Sequence, residues 1–374
     1  MRRRSFLLAA TGTCLMQAAH AEEGVTDKEV LFGQTAMLSG AVGVAVKART
    51  AGAELAFATS RKQGGVFGRS VRLVSIDDEL KPERALANYQ HLLDVEHVFA
   101  FFGCSGTATT AAATPVLQRS GAPLVGGFAV GDSARDKVKG YAYFLRATSR
   151  REAEALIQHL DTIGSSRIAI AYLDNPGGIE ARELVEEAMT KRKLKPVATG
   201  AVKGDGANVA EVAKALAAGN PQVVLMYLGG NVPGQLINAL IDLGGRPMFY
   251  GMSIVAGELA AKVAGERAHG LVIAEVVPYP WAQIDATAVE FRRLASAAKI
   301  PVDYYTYEGY LTGLVLLEAL KRCGRDLTRE RLQATMRSLK MRLGGMDVDF
   351  SGGGHTGSSF IDLVQVTHDG QFVR

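Results

Sequence analysis

Val98-Phe99-Ala100-Phe101-Phe102-Gly103-Cys104-Ser105-Gly106-Thr107 runs from an unbroken apolar segment into a turn of glycine and hydroxyl residues, then into a helical pattern. An apolar run over 98–102 with no polar alternation reads as a strand buried on both faces, which belongs in a parallel sheet covered by helices. At the start of the following helix, read over 107–119, backbone N–H groups and the Thr107 hydroxyl face outward at the positive end of the helix dipole. That is a seat suited to a carboxylate. Thr107 acting only as a helix cap accounts for the same residues. Gly103-Cys104-Ser105-Gly106 lacks the spacing of a nucleophile elbow, and no lysine stands where a phosphate-binding loop needs one.

Outward from this turn the pattern repeats. Pro123 to Val125 reads as the next strand, and Gly126-Gly127-Phe128-Ala129-Val130-Gly131 follows it as a second small-residue loop. Parallel sheets bind ligands at the carboxyl ends of their strands, so two adjacent loops of this kind make one wall of a cleft. An ordinary tight strand-to-helix connection is the plain alternative. Val30 to Met37 and Val71 to Ile76 read as further strands, with helical spacing over 46–62 and 83–94 between them. Strand alternating with helix predicts right-handed βαβ units.

The rhythm restarts with strands at 168–172, 197–202, 223–227, 248–250 and 271–277 and helices around 181–193, 209–218, 235–243 and 256–263. Three more helices are expected near 286–298, 304–322 and 328–338, followed by a glycine-rich, β-like tail from Arg342. The fold class is therefore α/β with two similar lobes.

The first 21 residues read as an export leader: Arg2 to Arg4, an apolar stretch from Phe6 to Met16, and Ala19-His20-Ala21 as a small-x-small cleavage site. Arg3-Arg4-Ser5-Phe6-Leu7 also fits a twin-arginine pattern. Thr11 and Thr13 do not suit a lipid attachment at Cys14, so an unlipidated periplasmic product is expected. Removing the leader's three arginines lowers the formal net charge from +4 to +1, so no nucleic-acid partner is inferred. Roughly 350 remaining residues exceed what one core usually serves, which again predicts two domains. Cys104 and Cys323 show no framework spacing and are expected as free, buried thiols.

No chemistry of turnover assembles. The seven histidines, at 20, 91, 97, 159, 269, 355 and 368, include no metal-binding pair. No dinucleotide fingerprint follows a strand. Asp77-Asp78-Glu79 reads as a solvated turn, and the cluster Tyr304, Tyr305, Tyr307 and Tyr310 as core with one or two residues available to a cleft. No enzyme, cofactor or metal is expected.

In order, Phe32-Gly33-Gln34-Thr35 with Leu38-Ser39-Gly40, Gln63 to Arg69, Phe101-Phe102-Gly103, Gly121-Ala122-Pro123, Asn220-Pro221, Glu308-Gly309-Tyr310 and Asp369-Gly370-Gln371-Phe372 resemble the branched-chain amino acid binding proteins of ABC transporters, a type I periplasmic binding family. The resemblance implies two Rossmann-like lobes joined by three crossovers, near Arg146, Pro278 and Gly345. It places 22–145 with 278–345 in the N-terminal lobe and 146–277 with 346–374 in the C-terminal lobe. It also implies a ligand held between the lobes, lobe closure, an inner-membrane permease as partner and a monomer. A receptor of the same fold that feeds a regulator is the alternative.

The family's carboxylate loop falls on Gly106, Thr107 and Ala108, and its ammonium-binding loop on Phe128 and Val130. Its pocket aromatic falls on Ala45, its second-lobe tyrosines on Gly177 and Asn231, and the glutamate that pairs the ammonium on Ser253. The handle for an α-amino group is thus missing and several walls have shrunk. These departures predict a bulkier carboxylate, aromatic or otherwise, with Tyr305 as a wall, in place of leucine, isoleucine or valine.

Overall fold

The computed structural model describes residues 22–353 and 355–374; the expected leader, with Cys14, lies outside the described residues. The first sheet contains β1 (Glu29–Ala36), β2 (Ser70–Asp77), β3 (Ala100–Ser105), β4 (Leu124–Phe128) and β5 (Ala142–Tyr143). All pair in parallel, in the order β2-β1-β3-β4-β5. They are connected by α1 (Gly40–Lys62), α2 (Pro82–Asp94), α3 (Thr107–Ala112), α4 (Thr114–Ser120) and α5 (Asp132–Lys137). Side chains alternate across the sheet: Val30, Phe32, Phe102 and Val125 belong to one buried cluster, whereas Leu31, Phe101 and Leu124 belong to another with Tyr89 and Leu117.

The helix read over 107–119 is two helices meeting at Ala113. Pro115 has no N–H to donate to the carbonyl of Ala111, so a single ladder cannot run through that turn.

The second lobe opens with α6 (Ser149–Thr162) and builds β6 (Ile168–Leu173), β7 (Ala198–Val202), β8 (Val223–Tyr227), β9 (Met248–Gly251) and β10 (Val272–Glu275). Between these strands lie α7 (Pro176–Lys191), α8 (Val209–Ala218), α9 (Val232–Asp242) and α10 (Gly257–Ala264). The chain then returns to the first lobe through α11 (Ala286–Ala298), α12 (Tyr304–Cys323), α13 (Arg329–Ser338) and a hairpin of β11 (Lys340–Leu343) and β12 (Met346–Asp349). Finally β13 (Asp362–Val366) and β14 (Phe372–Val373) join the second sheet as antiparallel strands, completing the order β14-β13-β10-β9-β8-β6-β7.

The chain passes from the first sheet to the second after Arg146 and leaves the second beyond β10. The third crossover does not pass at Gly345. Gly344 (φ 59°) and Gly345 (φ 89°) form the turn of the β11–β12 hairpin, a conformation open to glycine at little cost. The chain stays beside the first lobe until Gly357, whose N–H donates to the carbonyl of Phe144 at 2.7 Å.

Helices α1 and α12 meet backbone to backbone. A Cβ on Gly52 would lie 1.9 Å from the carbonyl oxygen of Thr306, and one on Gly309 would lie 1.9 Å from that of Arg49. This contact sets Arg49 against Glu308 beneath the cleft. Cys104 and Cys323 are buried and unpaired.

Candidate functional site

A cavity of about 380 Å³ lies between the lobes, and every segment lining it follows the carboxyl end of a strand. Met37 follows β1, Leu80 and Pro82 follow β2, Ser105 to Ala108 end β3 and open α3, and Phe128 and Ala129 close β4. From the second lobe come Leu173 with Asn175 to Gly177 after β6, Gly204 after β7, Tyr227 at the end of β8 and Ile254 after β9. In both sheets the strand order reverses at this edge, between β1 and β3 and between β6 and β8, where open α/β sheets bind ligands.

The first-lobe turn is braced. Gly106 has φ 86°, and a Cβ there would meet the Thr109 hydroxyl at 2.6 Å. Gly106, and not Thr107, occupies the N-cap of α3, and no side chain caps it. The Thr107 hydroxyl instead accepts from the Gly131 N–H at 3.0 Å, and its longer contact, 3.5 Å, is to the carbonyl of Ala129. It ties the two cavity-lining loops together, which replaces the plain capping role. Ala129 takes a left-handed φ of 52°, a strain typical of functional loops.

The lobes are closed on one another. A Cβ on Gly177 would fall 2.9 Å from Thr107 Oγ1, so glycine is what lets α7 approach. Glu180 of α7 accepts from the Ser133 N–H at 2.8 Å and from its hydroxyl at 2.6 Å, across from one lobe to the other. Asn175 begins α7 by accepting from the Gly178 N–H at 2.9 Å. The helix therefore starts well before the 181 read from spacing, and that early start brings Asn175, Pro176 and Gly177 to the cavity.

Among the described residues, no charged side chain lines this cavity. Behind Phe128, by contrast, a group of buried charges joins the lobes. Arg49 pairs with Glu308 at 2.7 Å, and Arg146 lies 3.7 Å from both Glu308 and Glu152. Glu152 accepts from the Ser253 N–H at 2.7 Å, and Arg146 donates to the Ser253 hydroxyl. Arg135 donates to the carbonyls of Val130, Arg146 and Ala147, each at 3.1 Å. The Arg49 guanidinium sits 3.5 Å from the Phe128 ring centre and 3.9 Å from that of Tyr305.

Burial alone would raise Glu308, but Arg146 and Arg49 overrule it and hold its carboxyl below the ordinary range. Burial raises Glu152, against the pull of Arg146. It also raises Glu275 strongly, with Glu258 and Glu308 adding to the effect.

Of the residues singled out in the sequence, Gly106, Thr107, Ala108, Phe128 and Gly177 line the cavity. The others do not. Val130 is buried and borders a smaller adjoining cavity together with Ser253. Ala45 faces the core, where its carbonyl accepts from Arg49. Asn231 is exposed at the N-terminus of α9. Tyr305 stands a layer back, packed 5.8 Å from Phe128 with its hydroxyl donating to the Ile254 carbonyl at 2.9 Å. Met37, Leu80, Leu173, Tyr227 and Ile254 were missed, although each stands at or just beyond a strand end. Asp77 and Asp78 are not a solvated pair: Asp77 accepts from the Leu38 and Glu79 N–H groups, and fully buried Asp78 accepts from the Leu80 N–H and the Thr35 hydroxyl.

Two α/β lobes closing over a cavity at their strand ends define a solute-binding protein. The chain belongs to the periplasmic binding protein family, whose model matches residues 29–371. A substrate-binding periplasmic protein from Ralstonia solanacearum has the same fold, with a TM-score of 0.85 and 29% identity over 92% of this chain and 99% of that one. The Leu/Ile/Val-binding protein of Escherichia coli K12 is 24% identical over 61% of this chain, a match that spans 62% of that relative. A fatty acid ABC transporter substrate-binding protein from Thermomonospora curvata superimposes with a TM-score of 0.81 and 19% identity, covering 94% of this chain and 92% of that one, and shows the fold alone.

Proposed function

We propose that this protein is the receptor of an ABC importer, exported to the periplasm. It takes a small organic carboxylate with a bulky apolar body into the interlobe cleft and presents it to a membrane permease. The observation that carries this reading is the composition of the cavity wall. Met37, Leu80, Phe128, Leu173, Tyr227 and Ile254 supply mainly apolar surface, and the polar side-chain groups are those of the Ser105–Ala108 turn, Asn175 and the Tyr227 hydroxyl.

At that turn the first N–H groups of α3 have no acceptor within the helix, so a carboxylate seated there gains charge-assisted hydrogen bonds. An ammonium gains nothing comparable. Ser253 stands where the resemblance expects a carboxylate, and it is already held by Glu152 and Arg146. Burying an unpaired ammonium against an apolar wall is costly, and that cost selects against an amino acid zwitterion. One relative is named for leucine, isoleucine and valine and one structural neighbour for fatty acids. The uncharged wall favours a ligand of the second kind, an acid without an amine.

Calorimetric titration with leucine and with 4-methylpentanoate, the same skeleton without the amine, tests this directly. The expected result is tighter binding of 4-methylpentanoate by about tenfold or more, the value of one charged contact. Tight binding of leucine with weak binding of its deamino analogue would overturn the proposal.

A further inference from the structure

Of the three buried guanidiniums behind Phe128, those of Arg49 and Arg146 lie within contact distance of the carboxylates of Glu308 and Glu152. Arg135 has no carboxylate partner; its donors reach main-chain carbonyls and the Thr356 hydroxyl. Asp132, on the same helix, accepts from the N–H groups of Ser149 and Arg150 and supplies the charge that most favours the Arg135 guanidinium.

Arg146 is 4% exposed, and its Nη1 has no hydrogen-bond partner. A buried, unpartnered donor on a charged group is expensive, and such vacancies are filled by an acceptor. Arg146 borders a small cavity of about 10 Å³ with Ser253 and Glu152, room for about one oxygen atom. Ala129, Tyr227 and Ile254 border both this cavity and the main cleft, so the two adjoin.

We infer that Arg146 is a second anion subsite, and that the solute carries two acidic groups separated by an apolar body. One end sits at the Ser105–Ala108 turn, and an oxygen of the other reaches Nη1 of Arg146. The inference rests on the carboxylate reading of the cleft and adds the second acid. A diacid bound this way supplies the acceptor that Nη1 of Arg146 lacks.

The test uses the purified full-length mature protein and straight-chain diacids from succinate to sebacate. Each diacid is compared with the monocarboxylate of equal length and with its own monomethyl ester, which keeps the shape and removes one charge. At the matching length the diacid is expected to bind at least about tenfold more tightly than either control. Arg146→Lys keeps the positive charge but shortens its reach, and is expected to reduce the ratio of diacid to monocarboxylate affinity. The wild-type preference stands as a test even if the variant does not fold. Monocarboxylates and esters binding as tightly as diacids at every length would overturn the second subsite while leaving the cleft reading intact. Absence of binding by all three series would overturn both.

Discussion

The cleft wall and the layer behind it are opposites. The wall presents no charge, whereas the next layer back buries Arg49, Arg146, Glu152 and Glu308, each no more than 9% exposed. Phe128 belongs to both, lining the cavity while Arg49 stacks on its ring. The difference separates two tasks. On the proposed function, apolar side chains select the body of the solute, while buried ion pairs join α1, α12, α6 and the loop after β9. Buried pairs are a poor source of net stability but costly to break, because removing one partner leaves the other uncompensated.

Glu308→Ala breaks the rear layer most severely, since Glu308 pairs with both Arg49 and Arg146. A loss of about 3–5 kcal/mol in folding stability is expected by urea denaturation, with Glu308→Gln losing less. A change below about 1 kcal/mol would mean that the two layers are not energetically distinct.

Thr107→Val probes the front layer. Removing the hydroxyl leaves the Gly131 N–H without its acceptor, at about 1 kcal/mol of stability, and loosens the turn proposed as the carboxylate seat. Affinity for a monocarboxylate should fall by about 1.5–3 kcal/mol at temperatures well below melting, and Thr107→Ser should restore most of it. Unchanged affinity would confine Thr107 to bracing the two loops.

The smallest effect is expected at Asp78, beneath the cleft mouth. Burial, with help from Asp77, pushes its carboxyl up to about 6 against bonds from the Leu80 N–H and the Thr35 hydroxyl that pull it down. The folded state therefore holds this proton more tightly than the unfolded chain, whose value is 3.8. The resulting stabilisation is full below the unfolded value and is lost as pH rises through about 6. Asp78→Asn should thus gain stability relative to wild type between about pH 4 and pH 7, as read from urea midpoints. A difference that stays constant over this range would show that Asp78 does not titrate in the folded protein.

The same contrast explains what the sequence discloses. Strands such as 223–227 announce themselves because continuous apolar runs have few other uses, and the turn at Gly106 to Ala108 because a strand end followed by small residues is a local pattern. The charge layer is assembled from four distant segments, and nothing near Arg49 in the chain points to Glu308. Carrying the family's positions onto Ala45, Asn231 and Ser253 treats each as an isolated wall site. In the folded chain Ser253, in the loop after β9, is drawn back into the ion layer by Glu152 of α6. Tyr227 and Ile254 stand at strand ends of the second lobe, where open α/β sheets bind ligands, but neither stands within a run of small residues like the one that marks the turn after β3.

The most direct test is to purify the protein from its native host without refolding and to identify the co-purified small molecule by mass spectrometry. An organic acid without an α-amino group is the expected result; leucine, isoleucine or valine would contradict it.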